Sequence, residues 1–140
     1  MLTEKQIQEI RTALEESLNP LFFFDDDQDG IASYLLLKRK YQKGKGIPAK
    51  TRVGDDEFYL RKMKEYDPDL VVFLDRPVVS QEIIDAAKTK VVWIDHHDVS
   101  GEDYKDENIF VFNPIKNKKK SETYISPVKI AVLANYVVID

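Results

Sequence analysis

Apolar side chains follow two rhythms along this chain. In the first they recur every three or four residues: Ile7, Ile10, Leu14 and Leu18 share one face of a helix predicted from Thr3 to Leu18, with Thr3 as its cap. Asn19-Pro20 ends it, because the residue before a proline is pushed out of the helical region. The second rhythm is a short unbroken run. Leu21 to Phe24, Leu70 to Leu74, Val91 to Ile94 and Ile109 to Phe112 are apolar at every position, as strands buried on both faces are. Helical stretches separate the runs, at Ile31 to Gln42, Asp56 to Tyr66 and Ser80 to Ala87, the last capped by Ser80. Gly44, Gly46 and Pro48 predict a loop, Ala49 to Val53 a strand, and Asp67-Pro68-Asp69 a turn. Asp98 to Glu107 reads as a loop, and a polar stretch through Lys120 leads to an apolar segment from Tyr124 to Ile139.

Apolar strands alternating with helices predict an α/β fold. The expected form is three layers, αβα, around a mainly parallel sheet of about five strands. In such sheets ligands bind beyond the carboxyl ends of the strands. Three polar clusters stand at such ends: Asp25-Asp26-Asp27-Gln28-Asp29-Gly30, then Asp75, then Asp95-His96-His97. They are far apart in sequence, yet the fold would gather them along one edge.

Carboxylates held this close repel one another unless a cation sits among them. Hard divalent ions prefer oxygen ligands, and a mixed Asp/His set suits Mn²⁺, with Mg²⁺, Zn²⁺ or Co²⁺ as alternatives. Alternation after a strand would point Asp25, Asp27 and Asp29 toward a shared region, with Gly30 allowing a sharp turn into the helix. Asp75 would bridge two ions, and His96 or His97 would supply nitrogen. Two ions about 3.5–4 Å apart activate a water and clamp the oxygens of a phosphate ester.

Blander readings compete. An isolated acidic turn at a helix start is ordinarily a cap or a solvated loop. The hexapeptide also looks like half of a calcium-binding EF-hand loop, but the twelfth position is Leu36 rather than Glu, and Phe22 to Phe24 reads as strand. A receiver-type phosphoacceptor site lacks its lysine and would leave the histidine pair idle. Arg76-Pro77 reads as a turn.

Composition narrows the field. With 140 residues the chain forms one domain with a sizeable core, and 43% hydrophobic with 33% charged residues is a globular balance. The absence of cysteine excludes disulfides and thiolate chemistry, so any metal must be held by carboxylates and the two histidines. No apolar run approaches the ~20 residues that span a bilayer, and no leader opens the chain; a cytoplasmic location is expected. The net charge of −4 does not advertise nucleic-acid binding. Lys38-Arg39-Lys40 with Lys43 and Lys45, and Lys116 with Lys118-Lys119-Lys120, read as solvated faces that a phosphate-bearing substrate would make useful.

From Leu21 onward the chain resembles the DHH phosphoesterase superfamily, and its RecJ-like branch most. Asp25-Asp26-Asp27-Gln28-Asp29-Gly30 is similar to that branch's Asp-x-Asp-x-Asp-Gly motif, Asp75 to its second-motif aspartate, and Asp95-His96-His97 to the signature that names the family. Ser126 to Val138 resembles the small-residue helix that follows the signature. The resemblance implies two Mn²⁺ ions, one held by Asp27 and Asp75 with Asp25 nearby, the other by Asp29, Asp75 and His96. It implies that His97 assists phosphate binding or charge stabilisation and that Asp95 orients the histidines, the two together forming the catalytic pair. Family members cleave single-stranded DNA, short RNAs and cyclic dinucleotides, or hydrolyse pyrophosphate and polyphosphate.

The departures are specific. Small or amide residues are usual where Arg76-Pro77 stands. The family's further downstream aspartate is matched by nothing nearer than the terminal Asp140, and its second domain has no counterpart in these residues. The expectation is therefore a single DHH-type phosphoesterase domain over residues 1–140, minimal or truncated at its C-terminal side. It would hydrolyse nucleic-acid phosphodiesters such as single-stranded DNA or short oligonucleotides by a two-metal mechanism. The rival is a catalytically degenerate, Cdc45-like interaction module with a protein partner in replication or repair.

Overall fold

The structure is a computed structural model that describes residues 2–50, 56–97 and 107–114. The chain runs α1 (Glu4–Glu16), β1 (Pro20–Phe24), α2 (Gln28–Tyr41), β2 (Lys45–Pro48), α3 (Asp56–Tyr66), β3 (Leu70–Leu74), α4 (Gln81–Ala87), β4 (Lys90–Ile94) and β5 (Ile109–Phe112). All strand pairings are parallel, in the order β2-β1-β3-β4-β5. The unbroken apolar runs are the reason: every residue of β1 and β3 is buried, because helices cover both faces of the sheet.

The two faces divide the core. One packs Ile10, Ala13 and Leu14 of α1 and Leu37 of α2 against Phe22, Phe24, Val72, Leu74, Val92 and Ile94. The other packs Tyr59 and Met63 of α3 and Ile83, Ile84 and Ala87 of α4 against Leu21, Phe23, Val71, Phe73 and Trp93. The expected three-layer α/β architecture with five strands is what forms.

Three boundaries differ from expectation. The edge strand is Lys45–Pro48, inside the stretch read as a loop, while Ala49 and Lys50 of the expected Ala49–Val53 strand lie outside it; positions 51–53 are outside the described residues. The glycines explain the misreading. Gly44 turns the chain at φ +78°, and Gly46 passes so close beneath Tyr34 that a Cβ would stand 2.1 Å from its ring. They permit a close approach within a strand rather than marking a loop. Helix α1 ends at Glu16, so Leu18 is solvent-exposed rather than part of its apolar face. The cause is Asp69, whose carboxylate accepts from Ser17 Oγ and the Leu18 and Asn19 backbone amides and draws the chain into β1. Helix α2 starts at Gln28 rather than Ile31, because Asp27 caps it. The Asp98–Glu107 loop up to position 106, the second lysine cluster, the Tyr124–Ile139 segment, its Ser126–Val138 helix and Asp140 lie outside the described residues.

This topology creates a place for a ligand. The chain leaving β1 enters α2 on one face of the sheet, and the chain leaving β3 enters α4 on the other. Between the carboxyl ends of these neighbours the connections part, which is where open α/β sheets hold ligands.

Candidate metal centre

Register places the acidic residues side by side. Phe24, Leu74 and Ile94, the last residues of β1, β3 and β4, are paired across the sheet. The ladder then continues one step further. Asp25 N donates to Leu74 O, Asp75 N to Ile94 O, and Asp95 N to Phe112 O, at 3.3, 2.9 and 3.1 Å. Ala49 N likewise donates to Phe24 O at 2.9 Å. The result is a transverse row, Ala49, Asp25, Asp75, Asp95 and Asn113, lying across the carboxyl edge of the sheet. Neighbouring strands are about 4.8 Å apart, so the three aspartates start from adjacent strand ends, and each is turned to its own partner: Asp25 to Arg76, Asp75 to His96 and Asp95 to His97.

From this row the next residues converge. Asp75 takes a left-handed backbone at φ 57°, an uncommon state for a residue other than glycine but one that Asp tolerates. Its Oδ1 stands 2.6 Å from His96 Nε2, and Asp29 Oδ2 is 3.9 Å from the same nitrogen. His97 stacks on His96 with ring centroids 4.4 Å apart. Asp75, His96 and His97 each offer a ligand atom within 4.8 Å of the others. Asp27 serves two ends: its Oδ1 accepts from the amides of Asp29 and Gly30 at 3.0 Å, and its carboxylate is close enough to Asp75 to influence its charge. Gly30 is needed here, since a Cβ would collide with the Asp25 carbonyl at 2.2 Å.

Asp95 holds His97 twice, accepting from its backbone amide at 3.0 Å and pairing Oδ1 with Nδ1 at 2.7 Å. Asn113 Nδ2 donates to the His97 carbonyl at 2.6 Å. His97 is thus fixed in orientation while its side chain stays 41% exposed.

The charges are set by burial and neighbours. Burial raises the carboxyl pKa values of Asp29 and Asp95, and the carboxylates of Asp75 and Asp27 push Asp29 further. Burial also acts to raise Asp75, but the close approach of His96 outweighs it and leaves that carboxyl below its ordinary value. The same contact raises His96. Beyond that 2.6 Å contact, both oxygens of Asp75 and Nδ1 of His96 are buried with no hydrogen-bond partner among the described residues. Buried polar atoms in native proteins normally find partners. Converging carboxylate and imidazole atoms that lack them fit a divalent cation, and the O/N donor set suits Mn²⁺ or a similar ion.

Not every expected residue converges there. Asp25, placed by alternation beside Asp27 and Asp29, instead faces Arg76, whose Nη1 is 3.9 Å from its Oδ1. The helical turn begun at Asp27 breaks the alternation. Arg76, expected in a turn, is buried. Asn113 was not singled out, although it follows an apolar strand as Asp25, Asp75 and Asp95 do. A groove of about 400 Å³ between α1 and the β4–β5 edge, lined by Lys5, Glu9, Val92 and Phe110 among others, includes none of these carboxylates.

Aspartates thus stand at three strand ends, with a histidine pair after the last. A family model described as the DHH family, N-terminal domain, matches residues 21–134. The chain belongs to the DHH family. In fold, this DHH domain is similar to RecJ from Thermus thermophilus in complex with Mn²⁺, at 18% identity and a TM-score of 0.69 over 99% of this chain and 21% of that one. It is also similar to exonuclease RecJ bound to manganese, at 17% identity and 0.67 over 99% of this chain and 38% of that one. Cdc45 from Entamoeba histolytica matches at 18% identity and 0.63, over 96% of this chain and 29% of that one. The DHH domain therefore spans well under half the length of each. No curated protein matches it in sequence. Among the described residues no helix is long and apolar enough to cross a membrane.

Proposed function

We propose that this DHH domain is a metal-dependent phosphoesterase acting on phosphodiesters of single-stranded DNA or short oligonucleotides, with Mn²⁺ as its ion. The observation that carries the reading is the buried Asp75 carboxylate, facing His96 Nε2 at 2.6 Å with both oxygens lacking hydrogen bonds. Asp29, Asp75 and His96 would hold the ion, with Asp27 beside them. When bound, the ion supplies Lewis-acid polarisation of a phosphoryl oxygen and an acidified water.

The chain's own residues supply the rest. Asp95 fixes the His97 ring through Nδ1, which leaves Nε2 of a part-exposed imidazole to bind a phosphoryl oxygen or stabilise charge developing on it. The Asp27 carboxylate anchors the first turn of α2 and so fixes where Asp29 stands. The left-handed Asp75 lets a single residue leave β3 while keeping its carboxylate in the crevice.

The test is metal analysis of the purified chain, then a Mn²⁺-supplemented assay on single-stranded DNA, short RNA, dinucleotides and pyrophosphate. Bound metal with turnover on an oligonucleotide supports the proposal. Turnover on pyrophosphate alone would correct the substrate class. Metal without turnover on any phosphoester would leave a binding module, the role in which a Cdc45-like protein partner belongs.

A further inference from the structure

Arg76 is the only buried lysine or arginine among the described residues. It follows Asp75 directly and is held from several elements. Its Nη1 donates to the carbonyl of Ala49, its guanidinium lies 5.3 Å over the Tyr59 ring of α3, and its own carbonyl accepts from Trp93 Nε1 at 2.8 Å. Its Nε is buried without a hydrogen bond. A carbonyl and a ring do not neutralise a buried guanidinium, and such a charge needs an anion. Asp25 is that anion, at 3.9 Å.

The acidic row thus has two ends. Burial, with Asp27 and Asp75, raises the Asp25 carboxyl and Arg76 is the cation that opposes them; burial, Asp75 and Asp27 raise Asp29 too, but there the opposing groups are His96 and His97. We propose that Arg76 is a protein-borne cation at the Asp25 end of the row, so that this chain holds one divalent ion, at the Asp75–His96 end. Its family resemblance implies two. The inference rests on the metal-dependent reading above.

A guanidinium is always charged and spreads that charge over a plane. It offsets part of the Asp25 charge from 3.9 Å, but it accepts no ligands and cannot polarise a phosphoryl oxygen. Only 3% of its side chain is exposed, so it does not touch substrate. It is a positioning residue that acts through Asp25, and its fixed charge repels a second divalent ion there.

Manganese content per chain and the electron paramagnetic resonance spectrum of the Mn²⁺-loaded chain test this without an activity readout. The wild-type chain should hold one ion with the hyperfine sextet of an isolated Mn²⁺. Arg76→Gln should take up a second ion and show a spin-coupled pair, as ions about 3.5–4 Å apart do. Arg76→Lys keeps the charge and should stay at one, and Arg76→Gln with Asp25→Asn should return to one. Two ions in the wild-type chain would overturn the inference and leave the proposed function standing. A folded Arg76→Gln that still holds one would also overturn it. No ion in any form would overturn both. If Arg76→Gln does not fold, Asp25→Asn decides: it should hold its ion with affinity changed by less than about threefold, and a loss of about tenfold or more, the scale on which a partner of the ion acts, would refute the proposal.

Discussion

Asp75 Oδ1 stands 2.6 Å from His96 Nε2 at the ends of two neighbouring strands, and neither Asp75 oxygen completes a hydrogen bond. His96 outweighs burial and keeps that carboxylate ionised, which leaves a buried anion with lone pairs to offer. A cation held, as proposed, by Asp29, Asp75 and His96 would take up those lone pairs.

Asp75→Asn separates binding from folding. Asparagine also tolerates the left-handed backbone at φ 57°, and it removes one of several crowded negative charges. The metal-free variant loses the His96 contact that holds the Asp75 carboxyl below its ordinary value, so it should fold and melt at or slightly below the wild-type temperature, while Mn²⁺ affinity falls by about 100-fold or more, beyond the usual effect of losing an outer partner. Asp75→Ala should be less stable than Asp75→Asn by about 1 kcal/mol, the cost of a left-handed alanine. Thermal melts and calorimetric Mn²⁺ titrations measure both.

Asp95→Asn should leave the sheet intact but loosen His97, which Asp95 holds through both ring and backbone. Activity or metal affinity should drop by about 10–100-fold, the range typical of an orienting carboxylate. Nitrogen NMR shifts of the His97 ring should show a changed tautomer balance. Unchanged shifts and unchanged activity would remove Asp95 from the site.

Gly30→Ala should destabilise the chain by about 2 kcal/mol, because its Cβ would meet the Asp25 carbonyl at 2.2 Å. Relief of that clash must move the acidic turn against α2, so the metal-binding enthalpy should change as well. Denaturant unfolding gives the first number and calorimetry the second.

At the opposite edge of the sheet, Asp69 links acidity to stability. Its carboxylate feels some burial, which raises its pKa. The bonds from Ser17 Oγ and the amides of Leu18 and Asn19 outweigh this and leave it below the ordinary value. Folded, Asp69 therefore binds its proton less readily than unfolded. Its contribution is complete above the unfolded value of about 3.9 and is lost as pH falls through the folded one. Asp69 is solvent-exposed, so screening keeps the effect to about 1 kcal/mol. Asp69→Asn should cost that much near neutral pH and nothing at pH about 2, read from denaturant midpoints.

Much of this could be read from the sequence, for definite reasons. Unbroken apolar runs such as Leu70–Leu74 permit little but a buried parallel strand, and the strand-end rule then placed Asp25, Asp75 and Asp95 along one edge. What escaped were features fixed by contacts distant in sequence. Gly44 and Gly46 looked like a loop because nothing local announces that Tyr34 lies over Gly46. Leu18 kept the helical rhythm, yet Asp69, fifty-one residues on, pulls its amide out of the helix. Arg76 looked like a turn, since only the fold brings Asp25, Ala49 and Tyr59 around it. Asn113 could have been found by the same strand-end rule that found the aspartates.

The most direct measurement is Mn²⁺-dependent cleavage of a single-stranded oligonucleotide by the wild-type chain and by the Asp29→Ala, Asp75→Ala double variant. The account predicts turnover that needs the ion and disappears in the variant together with the bound metal. Turnover that survives in the variant, or a metal-loaded wild-type chain that cleaves no phosphoester at all, would contradict it.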